Sequence, residues 1–369
     1  VGAPGILLNA QPQERRLTAL MWAVLRGNSE VVSLLVKVIG IDVNLVDQDG
    51  RSTLSWAAAN GHSEVVSLLL KITCIKVNLV DEDGRSALMR AAYNGHSEVV
   101  ATLLSQKNLD VNCVEKDGWS ALIWAASNGH SEVVATLLSA DGLDVNRVDK
   151  DGKSALVYAF TRGYSEMVWL LAKVKGIEAN IVDKDSQESA LMWAARNGHS
   201  EVVSSLLSVK GIDVNILNKD HMTAFLLAAS NGHNEVVCRF YHIARERVDV
   251  NLASEDGMTA LMLAASKGHK MVVRHLLIFW RERVDGDSKN KDGLTALMLA
   301  AQNGHEKAVH ELLYSASNAN LHVDLQSEAG FTALMLAVQN GHTEVLFQIV
   351  LSASGVSTYE RQILVHLLP

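Results

Sequence analysis

Apolar residues along this chain arrive in paired bursts. Leu88, Ala91 and Ala92 form one, at helical spacing. Val99, Val100, Leu103 and Leu104 form the next, again at helical spacing. Between them stands the polar run Asn94-Gly95-His96-Ser97-Glu98. Ser86 precedes the first burst where a helix N-cap belongs, and Gly95 follows it where a left-handed C-cap stops a helix. Glu98 falls in the first turn of the second helix, where the dipole favours an anion. Upstream, Asp83-Gly84 supplies a tight turn. The pattern predicts a hairpin-like turn, a short inner helix, a glycine corner, a short outer helix and a connector ending in Asp-Val-Asn.

That unit repeats with almost nothing left over. Aligned on the capping Ser or Thr, its anchors are Thr18, Ser52, Ser86, Ser120, Ser154, Ser189, Thr223, Thr259, Thr295 and Thr332, spaced 34, 34, 34, 34, 35, 34, 36, 36 and 37 residues apart. A helix pair this short is not stable alone and survives by burying its face on the next unit. Residues 1–12 read as a leader, 13–350 as one repeat domain, and 351–369 as an amphipathic cap or tail. The absence of an initial Met fits a processed N-terminus or a fragment.

The unit, D-x-D-G-x-S/T-A-L-M-x-A-A-x-N-G-H-S-E-V-V-x-x-L-L, resembles the ankyrin repeat over residues 13 to about 350. The resemblance implies an all-α ankyrin-repeat solenoid, its helix-turn-helix units stacked and joined by β-hairpin-like loops, with a concave groove that binds other proteins. The family's usual Thr-Pro-Leu-His is replaced here by Ser/Thr-Ala-Leu-Met, as in Ser86–Met89 and Thr259–Met262. Met fills the lost histidine's volume with flexible apolar surface. Two turns lack their glycine, DKDSQES at 183–189 and Asp220-His221-Met222. Relaxed turn geometry is the expectation there, a reshaped binding tip the alternative. The later units gain residues after the outer helix, as in HIARERVDVN (242–251) and IFWRERVDGD (278–287). These read as extended outer helices or convex loops.

The stretch NGHSEVV at 60–66 sets a His, a Ser and a Glu side by side, the residue types of a serine hydrolase. It recurs unchanged at 94–100, 128–134 and 197–203, and an enzyme needs one such constellation. The resemblance assigns His62, His96, His130, His199, His233, His269, His305 and His342 to stitching backbone at the inter-helix corner. Histidines of successive units stand about 10 Å apart, too far to share a metal. The Asp-rich turns lack the bidentate Glu of a calcium loop. No catalytic residue, metal ligand, cofactor or small-molecule substrate is expected.

Composition narrows the partner. Of 369 residues, 48% are hydrophobic and 20% charged, a folded profile, and the net charge is −8. Lys and Arg are scattered singly, which disfavours nucleic acid. No apolar run reaches membrane-spanning length. Cys74, Cys113 and Cys238 suggest neither a disulfide framework nor a zinc pattern, so an intracellular location, cytoplasmic or nuclear, is expected. The start, VGAPGILLNAQPQERR, lacks a signal peptide's features.

Specificity must sit at positions the repeat leaves free. On the inner helix, along the groove, these give Trp22, Trp56, Arg90, Trp124, Tyr158 and Trp193, with Tyr93 beside Arg90, and then Leu227, Leu263, Leu299 and Leu336. Trp, Tyr and Arg dominate interface energetics. The same large residues also suit lateral packing on the neighbouring unit. At the hairpin tips the free position reads Arg51, Arg85, Trp119 and Lys153, then Met222, Met258, Leu294 and Phe331, a change from basic to apolar. A sticky edge and a solvated tip with incidental apolar residues are both consistent with this. The expected function is a non-catalytic scaffold binding a partner protein; the alternative is the targeting part of a larger enzyme, ligase or channel.

Overall fold

The computed structural model describes residues 8–315 and 321–353. Of the expected leader and tail, residues 1–7 and 354–369 lie outside the described residues. Short helices alternate inner and outer through the chain, from Ala19–Leu25 to Thr343–Ala353. Each inner helix opens on the predicted cap: the hydroxyl of Ser86, for example, accepts the Met89 amide, and Thr18 to Thr332 do the same at the other anchors. Gly95 (φ 80°) ends the helix Ala87–Asn94 in the left-handed conformation. No β-strand forms among the described residues. The hairpins of the first five junctions close on single antiparallel bridges, such as Val80 to Ser86.

The chain divides into two compact units, Val1–Glu178 and Ala179–Pro369. Within the first, inner helix packs on inner helix and outer on outer from one repeat to the next. The second is built the same way. The core of each is the Leu-Met-Ala-Ala stripe of the inner helices against the Val-Val-Leu stripe of the outer ones.

Three polar stitches join successive repeats. His96 Nε2 lies 3.1 Å from the Ala59 carbonyl, His130 3.0 Å from that of Tyr93, and His305 2.8 Å from that of Ser266. The imidazole fills the space left by the preceding glycine: a methyl group on Gly95 would lie 2.8 Å from the His130 ring. Lower down, the Asn of Asp-Val-Asn forks between repeats. Asn112 Nδ2 donates to the Gly142 carbonyl (2.7 Å) while its Oδ1 accepts the Asp144 amide (2.8 Å). Asn44, Asn78, Asn146, Asn180, Asn215 and Asn251 do likewise. At the tips, the Lys116 amide donates to the Asp83 carbonyl at 3.1 Å.

Both glycine-free turns keep the left-handed conformation, although the one at 183–189 closes one residue wider, the Gln187 amide donating to the Asp183 carbonyl at 2.7 Å. Gln187 and His221 keep φ at 55° and 54°, and the His221 amide still donates to Asn218 at 3.0 Å, as glycine does in the other tips. The bond network of the hairpin outweighs the local preference of the side chain. A left-handed non-glycine residue costs about 1–2 kcal/mol. His221→Gly is therefore expected to raise stability by about 1 kcal/mol in urea denaturation, after the extra unfolded-state freedom of glycine is subtracted.

The added residues of the later repeats do lengthen the outer helices: Asn234–Ala244, Lys270–Phe279 and Glu306–Ser315 run to ten or eleven residues against eight in Ser97–Leu104. Trp280, just past one of them, is fully buried against Phe225 and Tyr241. Arg247 donates to the Leu207 carbonyl at 2.8 Å and Arg283 to that of Val248 at 2.9 Å, each reaching back to the preceding repeat.

Candidate protein-binding site

In three repeats the inner-helix residue picked out for the groove ladder is bonded by a buried acid of the hairpin before it. Asp47 begins the hairpin; its Oδ1 accepts the amides of Asp49 and Arg51 (2.9 and 2.8 Å), which is turn chemistry. Its Oδ2 accepts the Trp56 indole N–H at 2.9 Å. One repeat on, Asp81 binds the Arg90 guanidinium. In the fifth repeat, Asp149 accepts the Tyr158 hydroxyl at 2.6 Å. Burial first, and then this bond, push the Tyr158 hydroxyl well above its ordinary pKa, so it stays a proton donor at neutral pH.

The partners change together along the chain. Asp47, Asp81, Glu115, Asp149 and Asp183 accompany Trp56, Arg90, Trp124, Tyr158 and Trp193, each of the five able to donate a hydrogen bond. Where the ladder turns to Leu227, Leu263, Leu299 and Leu336, the acid becomes Asn218, Ser254, Asn290 and Ser327. The Asn218 side chain still accepts the two turn amides, of Asp220 and Met222 (3.0 and 2.9 Å), without carrying a charge beneath a leucine. A buried carboxylate needs a donor. That requirement explains the covariation, and it makes the ladder residues part of the fold as well as of the surface. Sequence reading treated the acids only as turn residues; their fixed offset from the ladder, nine residues in all pairs but Asp183 and Trp193, where it is ten, was the signal for the second role.

In the first unit the two sets of candidates, ladder and tips, converge. Trp119 at a tip packs on Trp124 (centroids 4.3 Å) and Tyr158 (4.8 Å) of the ladder. Tyr93 meets Trp124 edge-on at 4.9 Å. Arg85 lies over Trp124 at 5.2 Å and binds the buried Glu115, while Arg51 lies over Trp56 at 5.1 Å. Glu115 thereby turns to the arginine, and the Trp124 indole nitrogen is left buried without a hydrogen-bond partner. Tyr93 is 48% exposed; Arg85, Arg90, Trp119, Lys153 and Tyr158 are half-buried. Trp22 is exposed and stands apart from this cluster.

The second unit offers less. Trp193 lies against His199, the rings tilted by 35° with centroids 4.9 Å apart. Met222, Met258 and Leu294 are half-buried at their tips and Phe331 is exposed. Leu227, Leu299 and Leu336 are buried, as lateral packing requires.

A repeated stack of capped helix pairs, closed hairpins and glycine–histidine corners has a family counterpart. The family model described as ankyrin repeats (3 copies) matches residues 20–115, 106–185, 174–242, 191–281, 226–323 and 275–359. The chain is an ankyrin-repeat protein. No curated protein matches it in sequence. Ankyrin repeats are in general protein–protein interaction modules, and this ankyrin-repeat protein carries no helix, among its described residues, long and apolar enough to cross a membrane. Among the same residues, no three His, Cys, Asp or Glu side chains gather into a metal site. The corner histidines are spent on backbone carbonyls of the preceding repeat rather than on a reactive hydroxyl.

Proposed function

We propose that this ankyrin-repeat protein is a non-catalytic scaffold whose first unit docks another protein on the ladder and tips. The observation that carries the reading is the joined cluster of Tyr93, Trp119, Trp124 and Tyr158 with Arg85 across it. Aromatic and arginine side chains anchor interfaces, and rings already held against one another, with Tyr158 fixed by Asp149, lose little entropy on binding. Arg51, Trp56, Arg90 and Lys153 extend the proposed surface within the unit, and Trp22 marks its outer edge. Trp193 and the apolar tips Met222, Met258, Leu294 and Phe331 belong to the second unit, where they are proposed as a contact surface of their own. An acidic chain with scattered cations fits a protein partner better than nucleic acid.

Affinity capture from the source cell tests it, with the double variant Tyr93→Ala, Trp119→Ala set against wild type and against Lys71→Ala, just past the end of the outer helix Ser63–Leu70. The loss of two anchors should weaken capture of the specific partner by about 30-fold or more, from about 2 kcal/mol. Thermal melts by circular dichroism confirm that all three proteins fold. A captured set indifferent to the double variant would sink the proposal.

A further inference from the structure

A second surface lies on the outer helices of the second unit. Among the described residues, nine of the ten outer helices carry a glutamate in their first turn, from Glu30 to Glu344; the helix Lys270–Phe279 carries none. Lys270 and Met271 stand where the repeat puts Ser and Glu. A cation at a helix N-terminus opposes the macrodipole, so this choice works against the local stability of the helix. Lys270 recovers part of it from Glu311 on the next outer helix, 3.5 Å away and 7% exposed. Nothing in the fold accounts for Met271, 45% exposed beside it.

The substitution borders a groove of about 470 Å³ between Lys270–Phe279 and Glu306–Ser315. Its apolar lining is Leu277, Ile278 and Tyr314, the last two 51% and 68% exposed. Lys270, Arg274 and Leu277 fall at i, i+4 and i+7, one stripe of the helix, and Arg281 lines the groove just past the helix end. His310 closes the far side, its ring parallel to that of Tyr314. The lining thus holds three permanent cations and a single carboxylate, Glu311, already engaged by Lys270. This is a local excess of positive charge on a chain whose net charge is −8.

We propose that this groove docks an acidic amphipathic helix from a partner protein. Apolar side chains of such a helix would seat on Leu277, Ile278 and Tyr314, and its carboxylates, one turn apart, would meet Arg274 and Lys270 on one rim. The volume is enough to seat two or three side chains of such a helix. Cations interleaved with exposed aliphatic groups favour a peptide over nucleic acid, whose phosphates would leave Ile278 and Met271 uncovered. The surface is separate from the ladder of the first unit, and either proposal can fail without the other.

The test uses the full chain and a displayed pool of helical peptides of about four turns, with acids at i and i+4 and varied apolar positions on one face. A pool of the same composition in scrambled order is the control. Selected peptides are expected to bind with micromolar affinity by fluorescence anisotropy. Arg274→Glu and Ile278→Ser should each weaken them by about tenfold, or about 1.4 kcal/mol, while Tyr93→Ala, Trp119→Ala leaves them unchanged. Both groove variants alter exposed side chains, and their melts should match wild type. No enrichment over the scrambled pool, equal binding by wild type and Arg274→Glu, or tighter binding of a duplex oligonucleotide through the same residues would each overturn the proposal.

Discussion

Truncating Trp280 to alanine should remove about 3–5 kcal/mol from the stability of the second unit. The side chain is fully buried, with Phe225 at 5.3 Å and Tyr241 at 5.6 Å between ring centroids, and Phe225 in turn meets Phe240 at 5.4 Å. Removing it opens a cavity among rings that cannot collapse without shifting two repeats. The indole N–H is buried without a partner, so a smaller ring loses no hydrogen bond. Trp280→Phe should therefore cost well under half as much as alanine, because the lost volume is offset by removal of an unsatisfied donor. Because repeat arrays depart from two-state behaviour, amide hydrogen exchange is the better measurement. Protection should fall most in the helices Ala224–Ser230, Asn234–Ala244 and Lys270–Phe279. Equal loss for Phe and Ala would mean that the nitrogen, not the volume, matters.

The periodic part of the fold was open to sequence reading because each letter is repeated under the same physical demand. The capping Ser or Thr, the glycine corner and the outer-helix glutamate recur, so chance resemblance at any single site loses its weight. What periodicity cannot show is where a side chain breaks the pattern and what answers it in the next repeat. The anchor spacing of 36 residues revealed an insertion after residue 242, but not that Trp280 turns inward while Ile278 stays in solvent. At His221, the expectation of a relaxed turn gave too much weight to the side chain and too little to the Asn218 carboxamide, which fixes the hairpin by two backbone amides. At the candidate site the ladder was legible as a row of large residues. Its polar support was not, since the acids of the hairpins read only as turn residues. Trp124 packs laterally on Trp119 and Arg85 and also meets exposed Tyr93.

Asp81→Ala should be nearly as costly as the Trp280 truncation, at about 3–5 kcal/mol. The carboxylate is 2% exposed and satisfies three donors: the amides of Asp83 (3.0 Å) and Arg85 (2.9 Å), and the Arg90 guanidinium. Alanine leaves two turn amides without an acceptor and a cation, 16% exposed, without its counter-charge. Arg90→Leu alone leaves the buried carboxylate with its amides but no cation, and should also destabilise. The chain itself contains the compensated answer: Asn218 above the same two amides, paired with Leu227. Asp81→Asn combined with Arg90→Leu copies that pair into the third repeat. The double variant should lie closer to wild type than Asp81→Ala by several kcal/mol, with a coupling between the two positions of about 1–3 kcal/mol in a double-mutant cycle. Additive single effects would mean that the acid and the ladder residue are independent, and the covariation across nine repeats would lose its explanation. If the cycle closes as expected, the same double variant separates the two roles of the ladder: a folded protein with one polar rung removed, in which any lost partner binding is a property of the surface and not of the stack.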